Sequence, residues 1–446
     1  MKALMAAADF PLPKRRGGNR MKKRWRQAVC LSAAAAMLGG CSTGRESVVP
    51  SAEANKPAQP VTLKILQVQP ISDEDFQLLL NEPVTKKYPH ISFERMSGKV
   101  EELVAAGNVP DLILAPDSVL SQYKDLGLTA NLDPLVKEQG IDLSRFDPVY
   151  LDVIRAVSGK GELYALPYAR NFNALYYNKD LFDRFGIGYP QDGMTWDDAI
   201  DLGKKLTRGD GGIQYRGLDP ESVSRVARQF ALAYVDYKTL KATVNSAEFR
   251  TLFDIVKRVY TIPGNEPKDP ASSKGEATFT KDKTLAMYGT VNILWKLQEA
   301  GNNGLNWDVA QYPAIPGKPN VGNDVDSHTI VVTGTGKNRA ASLLVADVLT
   351  SPEVQLLSVR KTARVSPLKD AALQQQFGAD VGFLKGKRLG SIFKSRSIAA
   401  PVREKHHSQA QAIANQSFKE YVLGKDLNTA LREAEEKINQ LVQTTK

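Results

Sequence analysis

The most informative segment of the chain runs from residue 161 to residue 182. It begins Gly161-Glu162-Leu163-Tyr164-Ala165-Leu166-Pro167-Tyr168 and ends Ala174-Leu175-Tyr176-Tyr177-Asn178-Lys179-Asp180-Leu181-Phe182. The first part predicts a strand over residues 164–168, and two polar residues, Arg170 and Asn171, follow it. Strand-like and helix-like segments alternate on both sides, a pattern typical of parallel sheets flanked by helices.

Local patterns predict several further elements. Val61–Val68, Ile91–Met96 and the apolar run Asp111–Ala115 are predicted strands, and the last is bounded by prolines as a buried parallel strand is. Predicted helices cover Ser72–Tyr88, a segment capped by Thr195 and Asp198, a segment opened by Ser351-Pro352, and a C-terminal amphipathic segment, Leu427–Leu441. About 390 residues follow residue 60, too many for one core, so we expect two domains.

The first 40 residues have the composition of a targeting signal. Of the 59 basic and 49 acidic residues in the chain, nine and one lie there, which leaves a nearly balanced 50 and 48 in the rest. This balance removes most of the argument for a nucleic-acid partner. The apolar stretch Ala28–Leu38 is too short to span a membrane, and we interpret it as the core of a signal peptide.

The residues behind that stretch, Leu38-Gly39-Gly40-Cys41, resemble the lipobox of bacterial lipoproteins, in which the cysteine is acylated. An ordinary secretory signal ending near a cysteine is the alternative. Cys30 lies inside the predicted signal, so no thiol is expected in the folded body. Residues 41–60 are small, polar and proline-containing, as in a flexible tether. Either Met1 or Met21 could be the first residue.

Several segments together resemble the family 1 extracellular solute-binding proteins of ABC importers, whose members bind maltose and other oligosaccharides. They are residues 161–182, Phe185-Gly186-Ile187, Thr195-Trp196-Asp197-Asp198, Lys283–Gly289, Ser351-Pro352-Glu353-Val354-Gln355 and the terminal helix. The glycine that usually precedes the Ala286-Met287 segment is missing here. The resemblance extends from Cys41 to Lys446.

The resemblance implies an α/β, type II fold of the periplasmic binding proteins: two discontinuous lobes that close over a cleft by hinge bending. Carried over to this chain, lobe 1 would be residues 61–156 plus 326–365, and lobe 2 residues 157–325 plus 366–446. It also implies a monomer on the outer side of the cell membrane, which delivers a small solute to permease subunits.

Ligands of open α/β sheets bind beyond the carboxyl ends of the strands, so polar and aromatic residues at those places are the candidate contacts. The candidates are Gln69, Asp117, Arg170, Asn171, Tyr288, Asn292, Trp295, Tyr312, Asp326 and His328. Structural roles compete with these assignments, because an Asp after a strand often caps a helix and Trp295 has the spacing of a core residue. We assign Trp196 to packing, and the pair His406-His407 to solvated surface rather than to a metal site.

The kind of solute depends on which of these residues contact it. A sugar would use an aromatic platform, an anion would use Arg170 or Arg364, and a cation would use Asp117, Asp324 and Asp326. The rival class is a lipid-anchored hydrolase such as a glycosidase. The sequence contains no G-x-S-x-G elbow, no H-E-x-x-H and no P-loop, and nothing in it calls for a cofactor, so we expect a binding protein rather than an enzyme.

Overall fold

The computed structural model describes residues 59–271 and 273–444. The predicted signal peptide, Cys41 and nearly all of the tether lie outside the described residues. The strands are β1 Val61–Gln67, β2 Ile91–Met96, β3 Leu112–Pro116, β4 Ala165–Arg170, β5 Asn173–Asn178, β6 Arg208–Asp210, β7 Ile213–Asp219, β8 Val235–Asp236, β9 Lys241–Ala242, β10 Leu285–Val291, β11 Trp307–Gln311, β12 Val321–Asp324, β13 Ser327–Val332 and β14 Arg396–Ile398.

The helices are α1 Asp73–Phe76, α2 Glu82–Lys87, α3 Val100–Ala105, α4 Leu120–Asp125, α5 Asp133–Glu138, α6 Pro148–Ser158, α7 Lys179–Phe185, α8 Trp196–Leu206, α9 Val223–Phe230, α10 Ala247–Tyr260, α11 Gly275–Thr280, α12 Leu294–Asn302, α13 Arg339–Leu349, α14 Pro352–Thr362, α15 Ala371–Gln375, α16 His407–Val422 and α17 Leu427–Thr444. A π-helical turn, Gln77–Asn81, joins α1 to α2. In the described residues no single helix has the length and hydropathy to span a membrane; the pair α13 and α14, bent by 54°, passes that test together by length and composition.

Two five-stranded sheets carry the architecture. The first has the order β2-β1-β3-β13-β4 and the second has the order β11-β5-β10-β7-β6. In the first sheet β1 pairs in parallel with β2 and β3, while β13 runs antiparallel to β3 and β4. The predicted strand over residues 164–168 is β4, and the other three predicted strands are β1, β2 and β3, each within one residue at either end.

The side chains of β5 illustrate how the second sheet is buried. Ala174 and Tyr176 face one hydrophobic core, whereas Leu175 and Tyr177 face the other, because successive residues of a strand point to opposite faces. The first core also covers the first sheet, and the second core is closed by α8, α10, α16 and α17. With helices on both faces, this sheet leaves none of its central side chains in water.

Local signals in the sequence fix the ends of several helices. Thr195 and Asp198 form the predicted capping box at the start of α8, and Ser351 accepts a hydrogen bond from the Val354 amide at the start of α14. Each cap contributes about 1 kcal/mol to helix stability. Further along α8, Gly203 lies so close to Gly217 of β7 that a β-carbon on Gly217 would stand 1.9 Å from the Gly203 carbonyl oxygen. Glycine at residue 217 therefore lets α8 pack directly on the sheet.

The predicted lobe boundaries need one adjustment at the sheet level. The predicted division assigns β4 to the second lobe, but β4 hydrogen bonds to β13 of the first sheet. The chain then enters the second sheet only at β5, two residues later. Residues 58–446 form one compact unit, so the division into two lobes stays a prediction.

Candidate functional site

The carboxyl ends of three strands of the first sheet meet at one edge. Because β4 and β3 are both antiparallel to β13, β1, β3 and β4 all end where β13 begins. Two hydrogen bonds connect these ends: the Ser327 amide donates to Asp117 Oδ2 at 2.9 Å, and the Asn171 amide donates to the Asp326 carbonyl at 2.8 Å. Polar side chains from distant parts of the sequence are thus gathered at this edge.

The carboxyl ends of β7 and β10 in the second sheet face this edge of the first sheet. Only Asn171 and Phe172 separate β4 from β5, so β5 starts beside the edge of the first sheet. β10 is antiparallel to β5 and parallel to β7, and therefore β7 and β10 end where β5 begins. A cleft between facing carboxyl ends is where ligands of α/β proteins bind.

Six of the ten predicted site residues lie at the edge of the first sheet: Gln69, Asp117, Arg170, Asn171, Asp326 and His328. Asn171 Nδ2 is 3.4 Å from His328 Nε2, while the other ring nitrogen of His328 is buried without a hydrogen-bond partner. The Arg170 guanidinium lies 6.0 Å from the ring centre of Tyr150. The Gln69 amide donates to the Leu114 carbonyl, and its side chain is half-buried.

Two more predicted residues, Asn292 and Trp295, follow β10 at the facing edge. The side-chain oxygen of Asn292 accepts a hydrogen bond from the Leu294 amide at 3.1 Å, next to the start of α12. The Trp295 side chain is 49% exposed, which is unusual for so large an apolar group, and it packs against Phe383 with 5.3 Å between ring centres. Trp295 is therefore an accessible aromatic surface and not the core residue that its spacing alone suggests.

Tyr288 and Tyr312 are buried. Tyr288 is the fourth residue of β10 rather than a residue after its end, is 3% exposed, and packs against Phe279. Tyr312 is 1% exposed and meets Trp196 edge to face at 5.4 Å. Both faces of the second sheet are covered, so an aromatic residue here has no open side to present to a solute.

Next to the predicted residues lies a cavity of about 850 Å³. Residues 118–126, which follow β3, line one side, and residues 224–234 of α9 and its extension line another. Asp324 and residues 403–411, at the start of α16, complete it. None of the ten predicted residues lines this cavity. Its neutral polar lining includes Ser118, Ser121, Gln122, Ser224, Ser408, Gln409 and Gln411.

Five charged side chains form a cluster beside this cavity, which we call the ion cluster: Asp117, Asp324, Asp326, Arg228 and Arg403. Arg228 Nη2 is 2.7 Å from Asp324 Oδ1 and 3.6 Å from Asp326 Oδ2. Arg403 Nη2 is 3.3 Å from Asp324 Oδ2, and Arg403 Nη1 is 3.9 Å from Asp117 Oδ1. The ion cluster joins α9, the first sheet, the β12–β13 connection and the segment after β14.

Burial and mutual repulsion set the protonation of the three carboxylates. Burial, with the negative charge of Asp326 adding to it, raises the pKa of Asp117 to about 7. Burial also raises the pKa of Asp324. At Asp326 burial acts in the same direction, but the charges of nearby arginines, Arg228 first, outweigh it and hold the pKa below its ordinary value. Asp117 is therefore a carboxyl of the cluster that titrates near neutral pH.

Glu221, which was not among the predicted residues, stands at the end of β7. Its φ of 68° is left-handed, a conformation that costs energy for any residue except glycine and often marks a functional position. Its carboxylate accepts two hydrogen bonds from Arg225, at 2.9 and 3.2 Å, and one from the Thr290 hydroxyl. The polar run Asp219-Pro220-Glu221-Ser222, which begins at the last residue of β7, was the sequence signal for this position.

The histidines near the cavity are largely removed from water. Burial lowers the pKa of His407 to about 4, helped by the positive charges of Arg403 and Arg228, and burial likewise lowers the pKa of His328 to about 4. His406 is 2% exposed and its Nδ1 lies 2.6 Å from Glu404 Oε2, so the prediction of a solvated histidine pair was wrong. No group of three or more metal-ligating side chains occurs among the described residues.

Comparison with known proteins agrees with this architecture. The family described as bacterial extracellular solute-binding protein matches residues 83–385. Putative binding proteins of Brucella abortus and Brucella suis are 28% identical over 121 residues, which is 26% of this chain and 27% of each relative. The match thus spans about a quarter of the length of these curated relatives.

Solved structures match over most of the chain. An ABC substrate-binding protein from Listeria monocytogenes, in complex with cycloalternan, is 19% identical with a TM-score of 0.69 over 86% of this chain and 100% of that one. The sugar-binding protein MalE from Xanthomonas citri is 18% identical with a TM-score of 0.67 over 86% and 98%. At these identities the likeness establishes the fold, the type II fold of solute-binding proteins. Since the family match covers more than half of the sequence, the chain belongs to the bacterial extracellular solute-binding protein family.

Proposed function

We propose that the cleft captures a sugar or oligosaccharide and delivers it to the permease of an ABC importer. The observation that carries this proposal is the mixture of unsatisfied polar atoms around the cavity. Glu404 Oε1 is a buried carboxylate oxygen without a hydrogen bond, and Arg228 Nε is a buried donor without an acceptor. Both side chains line the cavity.

A hydroxyl group can pair with both kinds of unsatisfied atom. It donates a hydrogen bond to a carboxylate and accepts one from a guanidinium, so neighbouring hydroxyls of a sugar satisfy both kinds of atom. An ammonium group would satisfy the carboxylates alone, and a carboxylate or phosphate would satisfy the arginine alone. Each buried polar atom left unpaired costs about 1 to 3 kcal/mol, which favours a solute that pairs them all.

Trp295 supports the same class of solute. Its half-exposed ring offers an apolar face to the C–H surface of a sugar. Val68, which directly follows β1, is another exposed apolar side chain, at 40%. Among solved structures of the same fold are proteins with bound cycloalternan and with bound maltotetraose, and this agrees with a carbohydrate ligand.

The transport role rests on the family and on the cleft. Two lobes, 61–156 plus 326–365 and 157–325 plus 366–446, with the sheet boundary moved to follow β4, would rotate about the connections that cross between the sheets. We further propose that a lipid on Cys41 anchors the protein, as a monomer, to the outer side of the cell membrane, and that residues 42–60 tether the body there.

A thermal-shift screen of the full chain against sugars, polyols, amines and anions tests the proposal. A solute present at 100 times its Kd should stabilise the protein by about 2.7 kcal/mol. Stabilisation by a sugar without cleavage products supports capture, whereas release of shorter sugars would support the glycosidase alternative. If only amines or anions stabilise the protein, or if no probe does, the carbohydrate proposal fails.

Small-angle scattering with the sugar found in that screen tests hinge closure. The radius of gyration should decrease at saturation, because the lobes move together around the solute. An unchanged scattering profile would remove the hinge mechanism and leave solute capture intact.

A further inference from the structure

Arg403 lies between two carboxylates that belong to different parts of the fold. Its Nη2 donates a hydrogen bond to Asp324 Oδ2 at 3.3 Å, but its Nη1 is 3.9 Å from Asp117 Oδ1, which is too long for a hydrogen bond. Asp117 belongs to the edge of the first sheet, and Asp324 ends β12 at the connection into β13. Arg403 follows β14, which pairs with β12.

Negative charge exceeds positive charge in the ion cluster. Among the described residues, the ion pairs of its three carboxylates are made by two guanidinium groups, those of Arg228 and Arg403. Three carboxylates so close together in a buried site resist full ionisation, because each raises the free energy of charging the others. The charge of Arg225 also acts on Asp326, but Arg225 is paired with Glu221, so the cluster favours taking up one proton.

Of the three carboxylates, Asp117 has the weakest compensation of its negative charge by hydrogen bonds and ion pairs. Its Oδ2 accepts a hydrogen bond from the Ser327 amide, while its Oδ1 is buried without a hydrogen-bond partner. The groups that face Asp117 are Asp326, Arg403 and Arg228, together with Tyr150 of α6, whose ring also faces Arg170. The pKa of Asp117, raised by burial to about 7, agrees with the charge balance.

We propose that Asp117 and Arg403 form a proton-sensitive ion pair, which we call the tie, between the first sheet and the segment after β14. This pair regulates the stability of the solute cleft. With Asp117 protonated, Arg403 binds Asp324 alone. When Asp117 loses its proton, it competes for Arg403 and draws the segment after β14 toward the end of β3. The link to the cleft rests on the proposed function, since Arg403 and Asp324 both line the cavity.

A double-mutant cycle in the full chain tests the tie without any solute. The variants are Asp117→Asn, Arg403→Gln and their combination, unfolded with urea at pH 5.5 and at pH 8. We expect a coupling between residues 117 and 403 of about fivefold or more in the unfolding constant at pH 8, and none at pH 5.5. Equal coupling at both pH values, or none at either, would overturn the proposal.

The matched control is the pair Asp192 and Lys394, which are 2.7 Å apart and do not line the cavity. Burial opposes the ionisation of Asp192, but its hydrogen bonds, that from Lys394 first, hold its pKa below the ordinary value. The coupling of Asp192 to Lys394 should therefore be the same at both pH values.

Should Asp117→Asn fail to fold, Asp326→Asn takes its place. Removing that neighbouring charge should lower the pKa of Asp117 and move the pH-dependent change in melting temperature to lower pH. An unmoved transition would contradict the proposal.

Because neither cycle contains solute, failure of the tie would leave the carbohydrate proposal untouched, and failure of the sugar screen would leave the tie untouched. With the screened sugar in hand, its affinity should change between pH 5.5 and pH 8 for the parent, and not for Asp117→Asn.

Discussion

The indole Nε1 of Trp295 donates a hydrogen bond to the backbone carbonyl of Thr362 at 3.2 Å. Trp295 is the second residue of α12, the helix after β10 of the second sheet, whereas Thr362 is the last residue of α14. The bond fixes the orientation of a half-exposed ring before any solute arrives. A ring held in this way loses little conformational freedom on binding, which favours affinity.

Replacing Trp295 with Ala should therefore weaken solute binding with little loss of stability. We expect Kd for the sugar found in the screen to rise about tenfold, equivalent to about 1.4 kcal/mol, measured by titration calorimetry. Tyr237→Ala is the matched control, because Tyr237 is similarly exposed, at 45%, but lies at the β8–β9 turn. Unchanged binding by Trp295→Ala would show that the ring does not touch the solute.

Trp196→Ala should act on stability instead. The side chain is fully buried, and its Nε1 donates to Gln229 Oε1 at 2.9 Å, so the substitution leaves both a cavity and an unpaired amide oxygen. We expect a loss of about 3 to 5 kcal/mol in the free energy of unfolding, measured by urea denaturation. Tyr288→Ala should also lose stability, since its ring is buried in β10. A loss below about 1 kcal/mol for Trp196→Ala would contradict its assignment to the core.

Asn171→Ala should weaken binding and leave the fold nearly intact. The side chain is half-buried, and its contact with His328 is long, at 3.4 Å, so little stability depends on it. If Asn171 binds a solute hydroxyl, its loss costs about 1 to 3 kcal/mol of affinity, readable by calorimetry. Asn428→Ala, an exposed amide on α17, serves as control. Wild-type affinity in the Asn171 variant would mean that Asn171 does not contact the solute.

His328 and His407 should make the protein sensitive to acid. Burial lowers the pKa of both to about 4, so between pH 6.5 and pH 4 the unfolded chain binds more protons than the folded one. Stability is therefore lost as the pH falls through that window. In melts between pH 4 and pH 8, His407→Gln should lose less stability on the acid side than the parent does. Parallel curves for variant and parent would refute this origin.

Cys41→Ala should abolish membrane attachment. The cysteine ends a basic and apolar leader in the order of a lipobox, and several acyl chains are needed for stable anchoring. Fractionation of cells that express the full chain should move the variant from the membrane to the soluble fraction. A variant that stays in the membrane fraction would exclude lipidation of Cys41 as the anchor.

Local patterns predicted the local parts of the structure. The capping box at Thr195 is complete within four residues, and the apolar run after Pro110 needs only its own composition to form a buried strand, so both were predictable. Tyr288 was wrongly expected to lie beyond its strand. The strand runs on to Val291, and this extension depends on pairing with β5 rather than on local sequence.

The sequence named the three carboxylates of the ion cluster as contacts for a cationic solute, but it did not signal the two arginines that pair with them. Arg228 lies inside a helix and Arg403 in an irregular segment, and neither has a neighbour in sequence that signals its partners. Asp324 and Arg403 are 79 positions apart, and Asp117 and Ser327 are 210 apart. Only the path of the chain between the two sheets brings these groups together. Asp117 was found because it follows a strand, whereas Arg228 and Arg403 follow no such rule.

The packing of α16 and α17 has a consequence for folding during synthesis of the protein. Phe418, Leu431 and Ile438 of these helices are buried in the second core beside residues from β5 and α8, which are made more than 200 residues earlier. A chain emerging from the ribosome can pair its early strands, but it cannot close that core until these helices arrive. The second core of the nascent protein therefore remains open until late in synthesis, a state suited to threading through a translocation channel before the protein folds.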